Sequence, residues 1–497
     1  MTAVQRPAER QMIIGGRDSE AADGARFVRE SPGDGEIVAS YPQAAAADVD
    51  RAVSAARDAF DSGPWPHMSG ADRGVVLHRV GQLIRRDATL LAELEALESG
   101  KPIGQALGEV EGTADLWEYA ATVARHTYGD AHNALGANVL GIVVNEPVGV
   151  VAMITPWNFP VLIVSQKLPF ALAVGCTAVV KPSDLTCGTT IHLGALLREA
   201  GLPDGAVNVI TGDGSVGAAL CRHPGVDMIS FTGSTAVGRV IARDAGEDLK
   251  RVELELGGKN PQIICADADL DRAADAVVYG ALFNQGECCN AGSRLLVEEG
   301  VSHAVLERIA EQMDRVVVGD PLDPATQVGA IASEAQLRKI EALVEDGRAA
   351  GASTLVGGAR LQTEQGCFFQ PTVFSSVEPD MKIAREEIFG PVLSVLTFKS
   401  LDEAIRVANS TLYGLSAGIW TQDLDKALRA AKDIRAGTIW VNSWLDGFPE
   451  LPFGGFGASG VGRELGRQAV AAFTETKTIQ IHSGWRSPWS TIGRWDG

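Results

Sequence analysis

Basic residues are in short supply. Lysine and arginine number 43 against 63 aspartates and glutamates, and the formal net charge of the 497-residue chain is −20. That balance argues against a nucleic-acid or anionic-membrane surface, each of which needs a basic stripe. Cysteine is scarce as well. The seven cysteines lie at positions 176, 187, 221, 265, 288, 289 and 367, an odd count with no CxxC pair. A secreted disulfide framework and a zinc site both need regular spacing, so neither is expected, and no metal is predicted. Long apolar runs are missing. The most membrane-like stretch, 161–180, is interrupted by Gln166 and Lys167, and Met1–Arg10 lacks an apolar signal core. A buried segment in a cytoplasmic protein is the expectation. Repeats of 20–50 residues are absent too, which removes solenoids and propellers.

What is present is alternation. Short β-rich runs are followed by Gly/Pro/Asp turns and then by Ala-rich amphipathic stretches. Strands are predicted over 150–154, 177–181, 207–210 and 228–232. Helices are predicted over 162–174, 189–200, 216–221 and 236–245. Such βαβ order implies an α/β fold with mainly parallel sheets, whose ligands sit at the carboxyl ends of strands. A second series runs from about 260 to 458, with helices over 304–315 and 334–349 and strands over 394–398 and 437–441. Residues 126–145 alternate around Gly141 like a β-hairpin, and 478–481 reads as a further strand.

Two runs compete for a dinucleotide. Gly212-Asp-Gly214-Ser-Val-Gly217 matches GxGxxG. It lacks the acidic residue about 20 positions on that would hold a ribose hydroxyl, so a tight structural turn is the expectation. Phe231-Thr232-Gly233-Ser234 instead ends a strand and opens a helix, which puts backbone N–H groups and a hydroxyl where phosphate oxygens can meet them.

Phe283-Asn-Gln-Gly286-Glu287-Cys288-Cys289-Asn-Ala-Gly292 is different in kind, because its cysteines lie in a Gly-rich polar stretch that suits an accessible, reactive thiol. With it in order come Pro156-Trp157-Asn158-Phe159-Pro160, Glu255-Leu256-Gly257-Gly258-Lys259, Glu386-Glu387-Ile388-Phe389-Gly390-Pro391 and Pro452-Phe453-Gly454-Gly455. Over nearly its whole length the chain resembles the aldehyde dehydrogenase superfamily, in its non-acylating, NAD(P)-dependent branch.

The resemblance implies the superfamily's fold and roles. Residues 1–125 and 147–257 would form a Rossmann-like cofactor domain, 258–459 an α/β catalytic domain, and 126–146 with 473–497 a small β oligomerisation unit. Cys289 would attack the aldehyde and Asn158 would hold the oxyanion. Glu255 would activate water against the resulting thioester, with Lys167 and Glu464 supporting it. The cofactor would meet Ile154, Thr155, Pro156, Trp157, Lys181, Ser183, Asp184, Gly233, Ser234, Leu256, Gly257, Glu387 and Phe389. Asp184 stands where NAD-using relatives commonly carry Glu, so NAD is expected and NADP use is possible. Glu287 replaces a common Gln and would add negative charge near the thiol. Cys288 reads as a packing residue, with a reversible link to Cys289 as the sharper alternative.

The substrate pocket would include Phe159, Gln166, Trp444 and Phe453. The 442–455 segment is similar to betaine-aldehyde-type members, and a small polar or amino aldehyde is the expected substrate. The partners implied are that aldehyde and further copies of the chain in a dimer or tetramer, with no nucleic acid and no membrane. Trp485, Trp489 and Trp495 suggest a C-terminal tail that docks on a neighbouring subunit. The rival readings are a CoA-acylating dehydrogenase, which would not need Glu255, a thiol hydrolase without redox chemistry, and a catalytically idle homologue.

Overall fold

The structure is a computed structural model that describes residues 4–363 and 365–484; the Trp-rich tail and its docking lie outside the described residues. Four sheets organise the chain. The largest, of eight strands, has five parallel strands at its centre, in the order Arg251–Glu255, Met228–Thr232, Val150–Ile154, Thr177–Lys181 and Val207–Val209. Antiparallel strands close it on both sides, Gly460–Val461 at one edge and Met12–Ile14 with Arg17–Ser19 at the other. Chain order runs one way from Val150–Ile154 to Thr177–Lys181, then returns to the opposite side with Met228–Thr232. That reversal is a topological switch point, and it opens a crevice at the carboxyl ends of the strands.

A second sheet of seven strands is parallel apart from its edge strand Ser353–Val356, and Pro261–Ile264 lies inside it. The join between the two sheets is the six-residue run from Glu255 to Asn260. A Cβ on Gly257 would come within 2.3 Å of Glu387 Oε2, and one on Gly258 within 2.8 Å of the Cys289 carbonyl. Two glycines are needed there because other backbone and side chains pass so close.

Helix Pro160–Val174 explains why the apolar 161–180 run stays inside the protein. Nearly every position is buried, and it packs against helix Ile103–Arg125 and the central strands. No helix among the described residues is long and apolar enough to cross a membrane. The expected hairpin forms. Asp130–His132 pairs with Val139–Pro147 so that His132 faces Gly141, and the reversal falls between them. Gly141 sits mid-strand because Leu135 folds back over it, leaving 2.8 Å for a Cβ. Strand Thr474–His482 pairs along the whole of Val139–Pro147, and beyond Thr474 it lies exposed.

The N-terminal third holds a buried charged group. Lys101 is fully enclosed and pairs with Glu95 and Glu109, while its ammonium lies 4.2 Å from the centre of the Phe159 ring. Glu95 Oε2 and Glu109 Oε1 have no other partner. Burial and the neighbouring Glu95 push the Glu109 carboxyl well up, so it keeps a proton and the group is close to neutral. Replacing Lys101 by Met is expected to cost about 3–5 kcal/mol of stability, because it strands two buried carboxyls. Chemical denaturation at neutral pH measures this, and a change within error would remove the triad from the fold's supports.

Candidate active site

A cavity of about 1210 Å³ fills the space between the two large sheets. From the eight-stranded sheet it receives Pro156, Trp157 and Asn158 just past one strand, and Thr232, Gly233 and Ser234 at the end of its neighbour. These are the two strands that flank the switch point. Glu255, Leu256 and Gly257 enter from the sheet junction, and Cys288 and Cys289 from the opposite wall. Glu387 and Phe389 close the cofactor side; Phe159, Gln166 and Phe453 line the other.

The cysteine loop is held in an unusual backbone. Asn284 and Gln285 adopt φ of 50° and 55°, and Gly286 follows at 73°. Three left-handed residues in succession would unwind without support. The support is polar. Asn284 Nδ2 donates to the carbonyls of Asn158 and Glu287, both at 3.0 Å, and Asn158 Nδ2 donates to the Glu287 carbonyl at 3.0 Å. Asn260 Nδ2 donates to the carbonyls of Cys289 at 2.7 Å and Ala291 at 3.0 Å, while its Oδ1 accepts from Ser416 N. An amide nitrogen carries two hydrogens, so Asn158 keeps one for the cavity.

Cys289 is the half-exposed member of the pair and Cys288 the buried one, packed with Phe159, Ile163 and Ala291. A hydrogen bond with Cys288, then burial and the nearby Glu387 and Glu255, hold the Cys289 thiol well above its ordinary range. At rest it is protonated and needs an acceptor. Glu255 shares the cavity, and both of its oxygens lack a hydrogen-bond partner. Burial foremost, and then Glu464, raise its carboxyl well up, with Lys167 opposing them. Lys167 and Glu464 form a buried ion pair away from the cavity wall.

On the cofactor side, Glu387 Oε1 accepts from Gly258 N at 3.0 Å. Phe389, at φ of 59°, meets Trp157 edge-on at 5.4 Å. Ser234 caps helix Thr235–Glu247 by accepting from Val237 N. Ile154, Thr155, Lys181, Ser183 and Asp184 do not line the cavity; they lie at or just past the carboxyl ends of two neighbouring strands. The GxGxxG run opens helix Gly214–Arg222 with Asp213 as its cap, and it does not line the cavity.

Two expectations change. Trp444 is not a pocket residue: it is buried against Trp440 at 4.8 Å and fills space over Gly280 and Gly418. Trp440, Leu445, Asp446 and Phe448 form that wall instead. Glu287 does not charge the thiol. Its Oε1 accepts from Ala332 N at 3.1 Å inside the core, and burial raises its carboxyl well up, which favours the uncharged acid. Sequence reasoning missed Tyr279 and Phe283, which line the cavity four residues apart at a helix end, a spacing that marks one face. It also missed Gln105 and Glu109 from helix Ile103–Arg125.

The aldehyde dehydrogenase family matches this sequence over residues 19–479. The chain belongs to that family. Human retinaldehyde dehydrogenase 3 is 43% identical over 482 residues, covering 96% of this chain and 94% of that protein. A NAD-dependent aldehyde dehydrogenase from Sinorhizobium meliloti has a crystal structure that matches with a TM-score of 0.96 at 51% identity, covering 97% of this chain and 96% of the other. A betaine aldehyde dehydrogenase from Staphylococcus aureus, solved in complex with NAD+, matches with a TM-score of 0.95 at 35% identity, covering 97% and 96%. The family's mixed α/β fold is therefore shared across almost the whole length.

Glu287 yields a pH prediction. A carboxyl raised on folding favours the native state at low pH, and that contribution is lost as pH climbs from the ordinary Glu value through the raised one. Glu287→Gln keeps the acceptor for Ala332 N but does not titrate. Its stability advantage over the parent should widen as pH climbs above the ordinary Glu range, with turnover retained. Parallel melting curves across that climb would contradict the placement.

Proposed function

We propose that this protein oxidises an aldehyde to a carboxylic acid with NAD+, through a thioester on Cys289. The observation that carries this reading is that a single cavity joins a protonated thiol, a free amide N–H and a partnerless carboxyl to the switch-point crevice.

The crevice fits a dinucleotide. The N-terminus of a 13-residue helix, preceded by Gly233 and Ser234, offers backbone N–H groups to a pyrophosphate. The missing Cβ of Gly257 leaves room beside Glu387, whose carboxyl suits a ribose hydroxyl. Lys181, with Ser183 and Asp184 in the turn after it, suits the second ribose. Bound there, the nicotinamide ring supplies the two-electron acceptor for the oxidation.

The chain's own residues do the rest. Glu255 takes the proton from the Cys289 sulfur, and the thiolate adds to the carbonyl carbon. Asn158 Nδ2 and the backbone N–H of Cys289 donate to the oxygen that becomes negative; losing one such donor costs about 10²–10³ in rate. Once the proton taken from sulfur has passed on to solvent and oxidation is complete, Glu255 is free to remove a proton from water as the water attacks the thioester carbonyl, and the Cys289 sulfur leaves. This use of Glu255 favours water over coenzyme A as the acyl acceptor.

The substrate reading is a small polar or amino aldehyde. Gln105, Glu109, Gln166 and Asp446 line its side of the cavity, along with Tyr279 and Phe448. The Asp446 carboxylate and the aromatic faces together suit a cationic group. The sheet division supports a cofactor domain, a catalytic domain and a small β unit at the boundaries read from the sequence. The exposed strand Thr474–His482, with Ile479 and Ile481 on it, supports assembly into a dimer or tetramer.

Absorbance of reduced nicotinamide across an aldehyde panel, with NAD+ and NADP+ in parallel, tests the reading. Reduction that disappears in Cys289→Ala, favours NAD+ and runs fastest with an amino aldehyde is the expected outcome. Cysteine-independent reduction would overturn the mechanism, and a strong NADP+ preference would overturn the cofactor assignment.

A further inference from the structure

Strand Arg251–Glu255 carries a second buried carboxyl that the chemistry above does not use. Side chains two apart on a strand point to the same face, so Arg251, Glu253 and Glu255 form a row. The row starts at half-exposed Arg251, passes Glu253 at 1% exposure and reaches Glu255 at the cavity with 3%. The parallel neighbour sets Ser230 beside Glu253 and Thr232 beside Glu255. Ser230 Oγ donates to Glu253 Oε2 at 3.0 Å.

Two glycines leave room for the row. A Cβ on Gly462 would lie 3.2 Å from Glu253 Cγ, and one on Gly454 would lie 2.5 Å from Glu255 Oε1. The ion pair of Lys167 and Glu464, with both side chains fully buried, completes the cluster.

Charge counting shows what the cluster must do. Three buried carboxyls face one ammonium, and Arg251 and Arg463 stand at its margins. Full ionisation would leave two uncompensated negative charges out of water, so protons stay behind instead. The hydrogen bonds agree. Glu253 Oε1, Glu255 Oε1 and Oε2, and Glu464 Oε2 are all buried acceptors without a donor. A proton on a carboxyl turns such an acceptor into a donor.

We propose that Glu253 is a positioning residue for the reaction, a proton-holding carboxyl that sets the protonation of Glu255 and exchanges protons with it through the Lys167–Glu464 pair. Burial first, and then Glu464, push the Glu253 carboxyl up to about 8, with Lys167, Ser230 and Arg251 opposing. Glu253 in turn is among the groups that raise Glu255. A proton that Glu255 takes from sulfur must leave before it can take one from water, and that one must leave before the next turnover, so its O–H bond breaks twice in each cycle. A neighbouring carboxylate forms the new O–H bond, and the row leads towards Arg251 at the solvent end.

The inference rests on Glu255 as the base that activates water, and the test separates the two. Pre-steady-state bursts of reduced nicotinamide report thioester formation, and steady-state turnover across pH reports its hydrolysis. Glu253→Gln keeps shape and the Ser230 bond but removes the charge that repels a second carboxylate. Its burst amplitude should match the parent, while the ascending limb of the hydrolysis profile moves to lower pH by about one unit. Glu253→Asp should restore the parental limb. Ser230→Ala, which withdraws the donor that favours ionised Glu253, should move the limb the same way by less, and it serves if Glu253→Gln does not fold. An unmoved limb in both Glu253→Gln and Ser230→Ala, with a normal burst, overturns the role of Glu253 and leaves that of Glu255 intact. A limb that stays in place when Glu255 itself is replaced by Gln overturns both.

Discussion

Asn260 holds the reactive loop to the body of the protein, and most of the site's geometry depends on it. One side chain ties the carbonyls of Cys289 and Ala291 to the backbone of Ser416 in the second sheet. It can reach both because it lies two residues past the glycine pair that joins the two sheets. Ser459 repeats the device from the other end of the chain, accepting from Gly414 N and donating to the Gly257 carbonyl. The left-handed run before the cysteines persists because these bonds, with those of Asn158 and Asn284, over-determine it. Rigid placement of sulfur, amide and carboxyl is what makes a resting thiol useful: little reorganisation is left for the moment of reaction.

The interior handles charge by keeping protons. The net charge of −20 lies largely on the surface, yet acidic groups also recur inside: Glu95 with Glu109, Glu253 with Glu255 and Glu464, and Glu287 alone. Lys101 and Lys167 each sit among more carboxyls than they can neutralise. Burial then favours the neutral acid over the carboxylate at Glu109, Glu253, Glu255 and Glu287. Near Cys289 the same physics raises thiol and base together, so the two stay matched and an ionised Glu255 is a stronger base towards the thiol than an ordinary carboxylate.

The alternation of strands and helices was legible because the parallel strands are buried on both faces and read as short apolar runs bounded by turns. The strands at 150–154, 177–181 and 228–232 and the helix at 334–349 fall where their patterns place them. A glycine in an alternating run such as Gly141 marks either a turn or a close approach, and only Leu135 folding over it decides between them. The aromatic wall near the C-terminus is where the sequence misled. Trp440 and Trp444 are equally apolar in sequence, but only Trp440 lines the cavity, and between them Asn442 adopts a φ of 54°.

The sequence by itself determined the chemistry available: a thiol, an amide and a carboxyl in motifs whose order marks the family, and glycines where the sheets join. Local periodicity also determined which segments are strands and helices, because burial on one face or two is written in neighbouring residues. Which charges survive was decided only by tertiary structure. Glu287 beside Cys289 looks like an anion at the thiol and is a core acid whose burial favours the uncharged form; Glu253 looks like an ordinary strand residue and lies behind the base. Ionisation depends on burial and on partners tens or hundreds of positions away, as with Lys167 and Glu464, and no local pattern carries that information.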